Sequence, residues 1–600
     1  MMRAASAVLG AALALAPGPA RAIDVPHLVD EAGRAGVEHR YRGGWEFYVG
    51  GGVAVFDCSG DGFPDLYLAG GAGPAALFRN ASPRGGPLAF ERVPDGPASL
   101  GGVTGAYPLD VDGDGHLDLF VLRVGANAIL RGLGDCRFER ANERLGFEGG
   151  NAWSTAFSAV WETGERLPTL AVGDYVDRTA AGAPFGTCHD NALHRPGAND
   201  RYGPPVVLRP GYCALSMLFS DWNRDGVPDL RISNDRQYYR GGSEQLVRVA
   251  PSVPPRAYGR GEGWRELKIW GMGIASHDLT GDGYPEYFLT SMADNKLQAL
   301  AGGAAFGAVG AELEPAYEDI AFRLGATVHR PYVGGETMPS TAWHAEFGDL
   351  NNDGFVDLFV AKGNVEGMLD FAARDPNNLL LGQADGSFRE AAPEAGFVTF
   401  ERARGGALAD LDLDGLLDVV VVNREAPAEI WRNLGSRRAG PAAAGETAPS
   451  RLMGGFAAIR LEQPGPNRNA VGAFVEVRAG ARVWRKEVAV GGGHASGSAG
   501  FVHFGIGTAE LYEVRVQWPD GEWGPWVRSF ANAFALVRRH EARPTFWYPA
   551  DVAGPAAPIS STAAPASPID RSSGARLPSG RNENDERVAA RSDPRREEDR

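Results

Sequence analysis

The chain is poor in several features that would point to common activities. Of its 600 residues only four are cysteines, and none forms a C-x-x-C pair, which argues against a zinc site. Lysines are few, and 59 Lys and Arg stand against 75 Asp and Glu, a formal net charge of −16. Nucleic acids and anionic membranes repel such an excess of acid, so neither is expected as a partner.

Long apolar runs are also missing. No stretch reaches the roughly 20 apolar residues that a membrane-spanning helix needs, so no transmembrane segment is predicted. A shorter run, Ala4 to Ala16, follows Arg3, and Ala20-Arg21-Ala22 has the small-x-small pattern of a cleavage site. We interpret residues 1–22 as a signal peptide and expect a secreted, periplasmic or cell-surface protein.

An oxidising compartment permits disulfides between the four cysteines. We favour Cys188 with Cys213, which would close a loop rich in Pro and Gly, and Cys58 with Cys136. Free buried thiols are the alternative, because the sequence alone does not determine the connectivity.

Glycine, in contrast, is abundant. At 82 of 600 residues it is about twice as frequent as usual, which predicts many short strands joined by tight turns. The length exceeds what one hydrophobic core usually organises, so we expect several domains or a repeat architecture.

An acidic motif recurs along the chain, as in DLNNDGFVDLFV from residue 349. Each copy has oxygen-bearing side chains at motif positions 1, 3, 5 and 9, glycine at position 6, and then a strand-like apolar run. The six copies begin at Asp57, Asp110, Asp221, Asp278, Asp349 and Asp410. A seventh copy, WETGERLPTLAVGD, keeps the turn but has Trp161 and Thr169 in place of the outer acids, so we expect it to have lost its ion.

This spacing suits a hard cation. Side chains at positions 1, 3 and 5 of a tight loop converge, glycine at position 6 permits the bend, and the carbonyl of position 7 turns inward. Calcium accepts six to eight oxygens in flexible geometry, whereas magnesium requires a stricter octahedron. An EF-hand is excluded because its position 12 is acidic, whereas position 12 here is always apolar: Leu68, Val121, Ile232, Leu289, Val360 and Val421.

We therefore predict about six calcium ions; a plain Asp-Gly turn without an ion would be the better interpretation only of a single copy. Six divalent ions would change the net charge from −16 to about −4. The predicted side-chain ligands are Asp57, Ser59, Asp61, Asp65, Asp110, Asp112, Asp114, Asp118, Asp221, Asn223, Asp225, Asp229, Asp278, Thr280, Asp282, Glu286, Asp349, Asn351, Asp353, Asp357, Asp410, Asp412, Asp414 and Asp418. The predicted ligands through backbone carbonyls are Phe63, His116, Val227, Tyr284, Phe355 and Leu416.

Each motif lies between two strand-like segments, and a hairpin follows in NAILRGLGDCRF from residue 127 and NNLLLGQADGSF from residue 377. Four strands per unit are the content of a β-propeller blade. The predicted fold is all-β: a seven-bladed propeller over residues 23–440, closed by strands from both of its ends so that no edge is exposed.

A second domain is predicted after a linker at 441–450. Alternating strands over residues 451–545 suggest a small β-sandwich, and FVEVRAGARVWRKEV, with Ala479-Gly480 as the turn, predicts a hairpin. Residues 546–600, rich in Pro, Ala and Ser and then in charge, are expected to be a disordered tail.

The acidic units resemble the FG-GAP/VCBS repeats of integrin α-chain propellers and bacterial secreted proteins, over residues of about 45 to 435. The resemblance implies calcium-binding loops between the first two strands of a blade. The carboxy-terminal segment looks like an ASPIC/UnbV domain, as in the cartilage acidic protein family, through Asn469 to Ala473, Gly491 to Ser498, His503 to Gly507 and Val516 to Pro519. HASGS at 494–498 departs from the usual aromatic followed by Ser-Gln, so a ligand contact of relatives is not carried over to that loop.

We interpret the protein as a calcium-binding scaffold for adhesion to an extracellular protein or glycan. No catalytic residues are assigned, and the sequence does not determine the oligomeric state. The alternative is a hydrolase or lyase that acts on polysaccharide. His277 and His344 precede acidic loops and are expected to be packed rather than catalytic. The run Gly491-Gly492-Gly493 has no following Lys-Ser/Thr, so a phosphate-binding loop is not expected.

Overall fold

Strands make up most of the regular structure. The computed structural model describes residues 24–183, 186–197, 199–236, 241–251, 253–302, 313–436 and 453–548. The predicted signal peptide and linker lie outside these residues, as does nearly all of the predicted tail. Within the described ranges no helix has the length to cross a membrane, since none exceeds four residues. These helices are α1 (Asn142–Leu145), α2 (Ala321–Leu324), α3 (Ala392–Ala395) and the 3-10 turns Trp45–Phe47 and Arg260–Glu262.

The strands of the repeat region are short, as the glycine content predicts. In chain order they are β1 (Pro26–Asp30), β2 (Val53–Phe56), β3 (Asp65–Leu68), β4 (Gly71–Pro74), β5 (Ala76–Asn80), β6 (Phe90–Arg92), β7 (Gly101–Leu109), β8 (Asp118–Arg123), β9 (Ala128–Gly132), β10 (Phe138–Arg140), β11 (Ser154–Val160), β12 (Thr169–Asp174), β13 (Asn191–His194), β14 (Pro196–Gly197), β15 (Arg201–Tyr202), β16 (Val206–Leu208), β17 (Ala214–Ser220), β18 (Asp229–Asn234), β19 (Gln245–Arg248), β20 (Arg256–Ala257), β21 (Gly271–His277), β22 (Glu286–Ser291), β23 (Lys296–Leu300), β24 (Tyr317–Asp319), β25 (Ala342–Gly348), β26 (Asp357–Lys362), β27 (Asn378–Gly382), β28 (Phe388–Glu390), β29 (Arg402–Ala409), β30 (Asp418–Arg424) and β31 (Glu429–Ser436).

In the described part of residues 26–436 these strands form seven antiparallel blades. Blade 1 is β2-β3-β5-β6, blade 2 is β7-β8-β9-β10 with β4 beside β7, and blade 3 is β11-β12-β13-β16. Blades 4, 5 and 6 are β17-β18-β19-β20, β21-β22-β23-β24 and β25-β26-β27-β28, and blade 7 is β29-β30-β31-β1. The first strand of each blade contacts that of the next, and β29 contacts β2, so the ring is closed.

Blade 7 takes its outermost strand from the start of the described chain, because β1 pairs with β31. This joins both ends of the repeat region, as predicted, and leaves no open edge there. Neighbouring blades pack face to face through apolar clusters: Phe120 of blade 2, for example, stacks on Phe157 of blade 3 with ring centroids 4.0 Å apart. The apolar runs after the acidic motifs are buried for this reason, and the predicted all-β propeller is confirmed.

The carboxy-terminal domain is a two-sheet sandwich, as predicted. One sheet has the order β36-β32-β39-β40 and the other β34-β33-β37-β38, and the core between them includes Ile459, Val475, Phe504 and Val514. The strands are β32 (Gly455–Glu462), β33 (Phe474–Ala479), β34 (Arg482–Glu487), β35 (Gly497–Ser498), β36 (Val502–Gly507), β37 (Leu511–Gln517), β38 (Val527–Phe530), β39 (Ala533–Arg538) and β40 (Thr545–Trp547).

Two details of this domain differ from the prediction. The hairpin turn is Gly480-Ala481 instead of Ala479-Gly480, since Ala479 already pairs with Arg482. The last strand also continues to Trp547, past the predicted end at 545, because the Trp547 ring packs on Phe534 of the core edge.

Both favoured disulfides are present. Cys58–Cys136 joins the acidic loop of blade 1 to the β9–β10 turn of blade 2, and Cys188–Cys213 joins the loop after β12 to the start of blade 4. No described cysteine is free. Each bridge therefore links neighbouring blades and restricts the unfolded chain.

Candidate metal centres

All six acidic motifs lie between the first and second strands of their blades, on one face of the ring. The residue at position 9 begins the second strand each time. This is the placement that the resemblance implies, and it brings each motif together as a compact bend. We call this side of the propeller the metal-loop face and the six bends the metal loops.

The backbone amide of position 6 donates to the carboxylate of position 1 in every metal loop. The distances from N to O run from 2.7 Å at Gly354–Asp349 to 3.1 Å at Gly283–Asp278. These glycines have φ between +85° and +95°, which side chains rarely adopt. The amide of position 7 likewise donates to position 5, for example Phe355 to Asp353 at 2.8 Å.

The carboxylate of position 9 fastens each loop to the blade. In blade 2, Asp118 accepts the amide hydrogen of Val111 in the loop at 2.8 Å and that of Gly132 in the third strand at 2.7 Å. Blades 1, 6 and 7 repeat both bonds at Asp65, Asp357 and Asp418. Position 9 therefore has a structural role besides the metal-ligating role predicted for it.

Two loops gather three carboxylates closely. Oxygen atoms of Asp110, Asp112 and Asp118 lie within 4.8 Å of one another, and so do those of Asp410, Asp412 and Asp418. In the other four loops position 3 is a neutral oxygen donor: Ser59, Asn223, Thr280 and Asn351. Both donor sets consist of hard oxygens, which are the ligands of calcium and magnesium.

Three buried carboxylate oxygens in these loops have no hydrogen-bond partner: Asp112 Oδ1, Asp221 Oδ1 and Asp278 Oδ1. A buried charged oxygen without a partner is unfavourable, and a bound divalent cation would compensate it directly. The residues present therefore fit a metal ion of this kind. When bound, it would supply positive charge and fix the bend.

The pKa values of the carboxyl groups reflect how deeply they are buried and how close they lie to one another. Burial, with the neighbouring carboxylates, raises the pKa of Asp65 to about 7 and those of Asp118 and Glu286 to about 8. The pKa values of Asp357 and Asp418 are raised well above the usual range by the same two causes. A cation would keep these groups ionised at neutral pH.

Arginines accompany the two loops with four acids, a feature that the sequence analysis missed. Arg131 Nε lies 2.8 Å from Asp112 Oδ2, and Arg432 Nε and Nη2 lie 2.8 and 2.7 Å from Asp412 Oδ2. Both arginines directly precede the third-strand residue whose amide binds position 9. Each offsets the extra acid at position 3, and in blade 2 Arg144 also contacts Asp112.

The seventh copy of the motif, in blade 3, contains an internal cation instead. Glu162 Oε1 accepts bonds from Arg195 Nε and from Thr169 Oγ1, both at 2.7 Å. The other nitrogens of Arg195 bond the carbonyls of Ala250 and Val253 in blade 4, at 2.7 and 2.9 Å. The turn is retained, and the guanidinium group of Arg195 takes the place of an ion. This supports the expectation that this copy of the motif binds no ion.

The histidines considered as catalysts are buried side chains. Burial lowers the pKa of His277 to about 3, and His344 Nδ1 accepts the backbone amide hydrogen of His494 at 3.1 Å. Of the tryptophans, Trp153, Trp264 and Trp343 are buried, while Trp270 is exposed.

The carboxy-terminal domain covers the metal-loop face. Arg485 Nη1 lies 3.1 Å from Asp278 Oδ2, Trp484 Nε1 donates to the carbonyl of Gly354 at 2.9 Å, and His503 Nε2 lies 3.1 Å from the carbonyl oxygen of Gly415. A cavity of about 540 Å³ remains between this domain and blades 1, 2 and 7. No local sequence pattern indicates that the domain lies on the predicted ion sites.

The fold and the loops define an acidic-loop β-propeller that carries a β-sandwich. Family profiles match the chain as "FG-GAP-like repeat" at residues 57–121 and 349–421 and as "ASPIC and UnbV" at residues 463–537. The chain thus contains FG-GAP-like repeats followed by an ASPIC/UnbV domain, as the resemblance predicts. No curated protein matches significantly.

Solved structures resemble the chain at low identity. BBS1N in complex with ARL6DN is 10% identical, with a TM-score of 0.36, over 68% of this chain and 97% of that one. An Agrocybe aegerita lectin described as recognising non-reducing terminal N-acetylglucosamine is 15% identical, with a TM-score of 0.35, over 64% and 94%. The Dos1 propeller is 11% identical, with a TM-score of 0.31, over 65% and 94%. Likenesses at this level assign no ligand.

The internal cation of blade 3 leads to a first prediction. Arg195→Met should lower the free energy of unfolding by about 2 kcal/mol, with or without calcium, because Glu162 loses its charged partner. Urea denaturation in both conditions measures this. Arg166→Met, which removes an exposed pair with Asp200, is the matched control and should change stability by less than about 0.5 kcal/mol. Calcium-dependent destabilisation by Arg195→Met would contradict the interpretation.

The raised pKa values lead to a second prediction. The carboxyl groups of Asp65 and Asp118 have pKa values of about 4 in the unfolded chain and of about 7 and 8 in the folded one, so their stabilising contribution is complete below pH 4 and is lost as the pH rises through 7 and 8. The melting temperature of the metal-free chain should therefore fall from pH 5 to pH 8, and saturating calcium should abolish that fall. Thermal denaturation of chelated, desalted protein tests this; a flat metal-free profile would contradict it.

Proposed function

We propose that the chain is an exported, calcium-stabilised propeller scaffold that binds an extracellular protein or glycan. The observation that carries the calcium part is the repetition: one bend in six blades, with the same amide-to-carboxylate bonds and with unpaired buried oxygens in three of them. Calcium suits these loops better than magnesium because protein oxygens supply most of the donors. The residue at position 3 also differs between loops, which the flexible coordination of calcium tolerates. Export is supported by the amino-terminal sequence pattern and by the two disulfides.

The carboxy-terminal domain leaves the opposite face as the open side of the propeller. That face carries the loops before the first strands and after the second strands of the blades, including exposed Trp45 and Leu369. Trp45 packs edge-on against Trp153, with ring centroids 5.1 Å apart, so its exposed ring is held in position. Loops displayed on a rigid ring are common binding sites, and we assign the partner surface to this face.

Calcium removal tests the structural role. With dissociation constants on the order of 0.1 to 1 mM, 10 mM calcium should stabilise the chain by about 1.4 to 2.7 kcal/mol per site by mass action. The melting temperature should rise with calcium and fall again with EGTA. An unchanged melting curve would contradict the proposal.

Substitution of one loop tests the ligand assignment. Asp353→Ala should reduce the calcium stoichiometry from about six to about five, because it removes position 5 of the blade 6 loop. Asp385→Ala, an exposed acid in the β27–β28 turn of the same blade, should leave the stoichiometry unchanged. Equilibrium dialysis with elemental analysis gives both numbers. An equal stoichiometry in the two variants would refute the assignment.

The partner class can be tested with a glycan array and a panel of extracellular matrix proteins, both in calcium. We expect saturable binding to members of one class, and Trp45→Ala should weaken it at least fivefold because the substitution removes an exposed aromatic surface. Phe322→Ala, which removes an even more exposed aromatic ring on the outer rim, is the control. Turnover of a polysaccharide in the same panel would favour the enzymatic alternative.

A further inference from the structure

A glycine-rich segment of the carboxy-terminal domain fills the central channel of the propeller. This channel segment, residues 489–499 (AVGGGHASGSA), leaves the sandwich after β34 and returns at β36. Ser158 Oγ of blade 3 donates to the carbonyl of Val490 at 2.6 Å. The amides of Gly492 and Gly493 donate to carbonyls of Met217 in blade 4 and Ile274 in blade 5, at 2.6 and 2.7 Å.

The remaining four blades contact the channel segment as well. In blade 1 the amide of Val53 donates to Ser496 Oγ at 3.1 Å, and β35 pairs with β2. In blade 2 the amide of Ala106 donates to the carbonyl of Ala495 at 3.2 Å. His494 bonds His344 of blade 6, and a Cβ atom on Gly405 of blade 7 would lie 2.5 Å from Ser496 Oγ.

The first strands of the blades are shaped for this segment. A Cβ atom on Gly52 or Gly105 would lie 1.7 or 2.1 Å from the carbonyl oxygen of Ala495, closer than atoms can approach. The small residues at the start of these strands therefore leave room for the channel segment. The sequences of the two domains are complementary to each other at this place.

The rest of the domain binds the metal loops in their closed form. Besides the contacts of Arg485, Trp484 and His503, the amides of Gly454 and Gly507 donate to the carbonyls of Asn351 and Asn352, at 3.0 and 2.9 Å. These acceptors are backbone groups of motif positions 3 and 4, and the Gly354 and Gly415 carbonyls belong to position 6. A loop that opened would move these acceptors away from their donors.

We propose that the metal-loop face and the channel together form a binding surface for the chain's own carboxy-terminal domain, and that cation binding and docking strengthen each other. The inference rests on the proposed function in one respect: the six loops must bind the cation. Coupling between two binding events is reciprocal, so the ion should tighten docking and docking should raise the affinity for the ion by the same factor.

Amide hydrogen exchange of the full chain tests the first half of the proposal. In calcium the amides of residues 489–499 should be protected; without calcium they should exchange at least tenfold faster, at a temperature where circular dichroism shows the strands intact. Equal protection in a chain shown by elemental analysis to be free of metal overturns the inference. If calcium still raises the melting temperature, the proposed function survives; if the chain binds no calcium, the proposed function fails first.

A matched pair of glycine variants tests the reverse direction. Gly492 and Gly480 both have positive φ, +72° and +61°, so alanine strains the backbone similarly at each. Only Gly492 faces the propeller, where a Cβ atom would lie 2.9 Å from the Ile274 carbonyl oxygen; nothing lies within 4 Å of Gly480. Gly492→Ala should shift the calcium midpoint upward at least fivefold, and Gly480→Ala should leave it unchanged. Equal midpoints overturn the inference.

A second pair guards against misfolding of the glycine variant. Trp484→Phe removes one of the two donors to the Gly354 carbonyl, the other being Arg482 Nη1, whereas Trp526→Phe alters a ring that contacts Arg478 and Arg515 of its own domain. Each tryptophan variant is also made with Asp353→Ala, which removes the blade 6 site, and the difference between the two calcium titrations gives the affinity of that site. This affinity should weaken at least fivefold for Trp484→Phe and stay unchanged for Trp526→Phe. The same affinity in both tryptophan variants counts against coupling.

Discussion

Repulsion between buried carboxylates is the constraint around which the six metal loops are built. Two such charges 4 Å apart repel by about 4 kcal/mol at the effective dielectric of a protein surface. The backbone reduces that repulsion through amide donors to positions 1, 5 and 9, and arginines reduce it in blades 2 and 7. Three buried oxygens still lack partners. Protein groups therefore compensate the charge only in part, and a divalent cation is the simplest completion.

The same bends also carry the second domain. The sandwich contacts the Gly354 and Gly415 carbonyls and the position-1 carboxylate of Asp278, and its channel segment contacts all seven blades. A loop that binds the proposed ion would thus have two neighbours, the ion and the sandwich. The sandwich covers the metal-loop face, and the opposite face, with its exposed Trp45, is the one to which we assign the proposed partner.

Local patterns predicted the features that depend on one repeat, and long-range features escaped them. Position 9, glycine at 6 and the following apolar run specify the bend and the second strand, so the blade and the placement of loops such as 349–357 were predictable. The pairing of β1 with β31 was predictable because a closed ring leaves no strand edge exposed. The pairing of Asp112 with Arg131 and the passage of Gly491 to Gly493 through the channel depend on chain segments far apart, which no local pattern relates.

One signal for the channel segment was nevertheless present. Glycines recur directly before or within the first strands of blades 1, 2 and 7, at Gly52, Gly105 and Gly405, where Val or Ile would favour a strand more strongly. A strand that lacks side chains on one side implies a backbone that approaches closely. The channel also explains why HASGS departs from the relatives' usual pattern. His494 packs against Trp343 inside the channel, with ring centroids 5.2 Å apart, so this loop contacts its own propeller.

Blade 3 contains a permanent cation, so metal binding cannot regulate its turn. Arg195 is always charged and covalently attached, so its bond to Glu162 holds the turn under all conditions and joins blades 3 and 4 through Ala250. An ion in the other loops would instead bind reversibly, with a dissociation constant on the order of 0.1 to 1 mM if they behave as other extracellular modules do. Under the proposed coupling, the turn of blade 3 keeps its shape without metal, while the six other loops, which contact the second domain, would respond to calcium. The distribution of arginine and open carboxylates along the chain therefore confines the proposed calcium response to six of the seven blades.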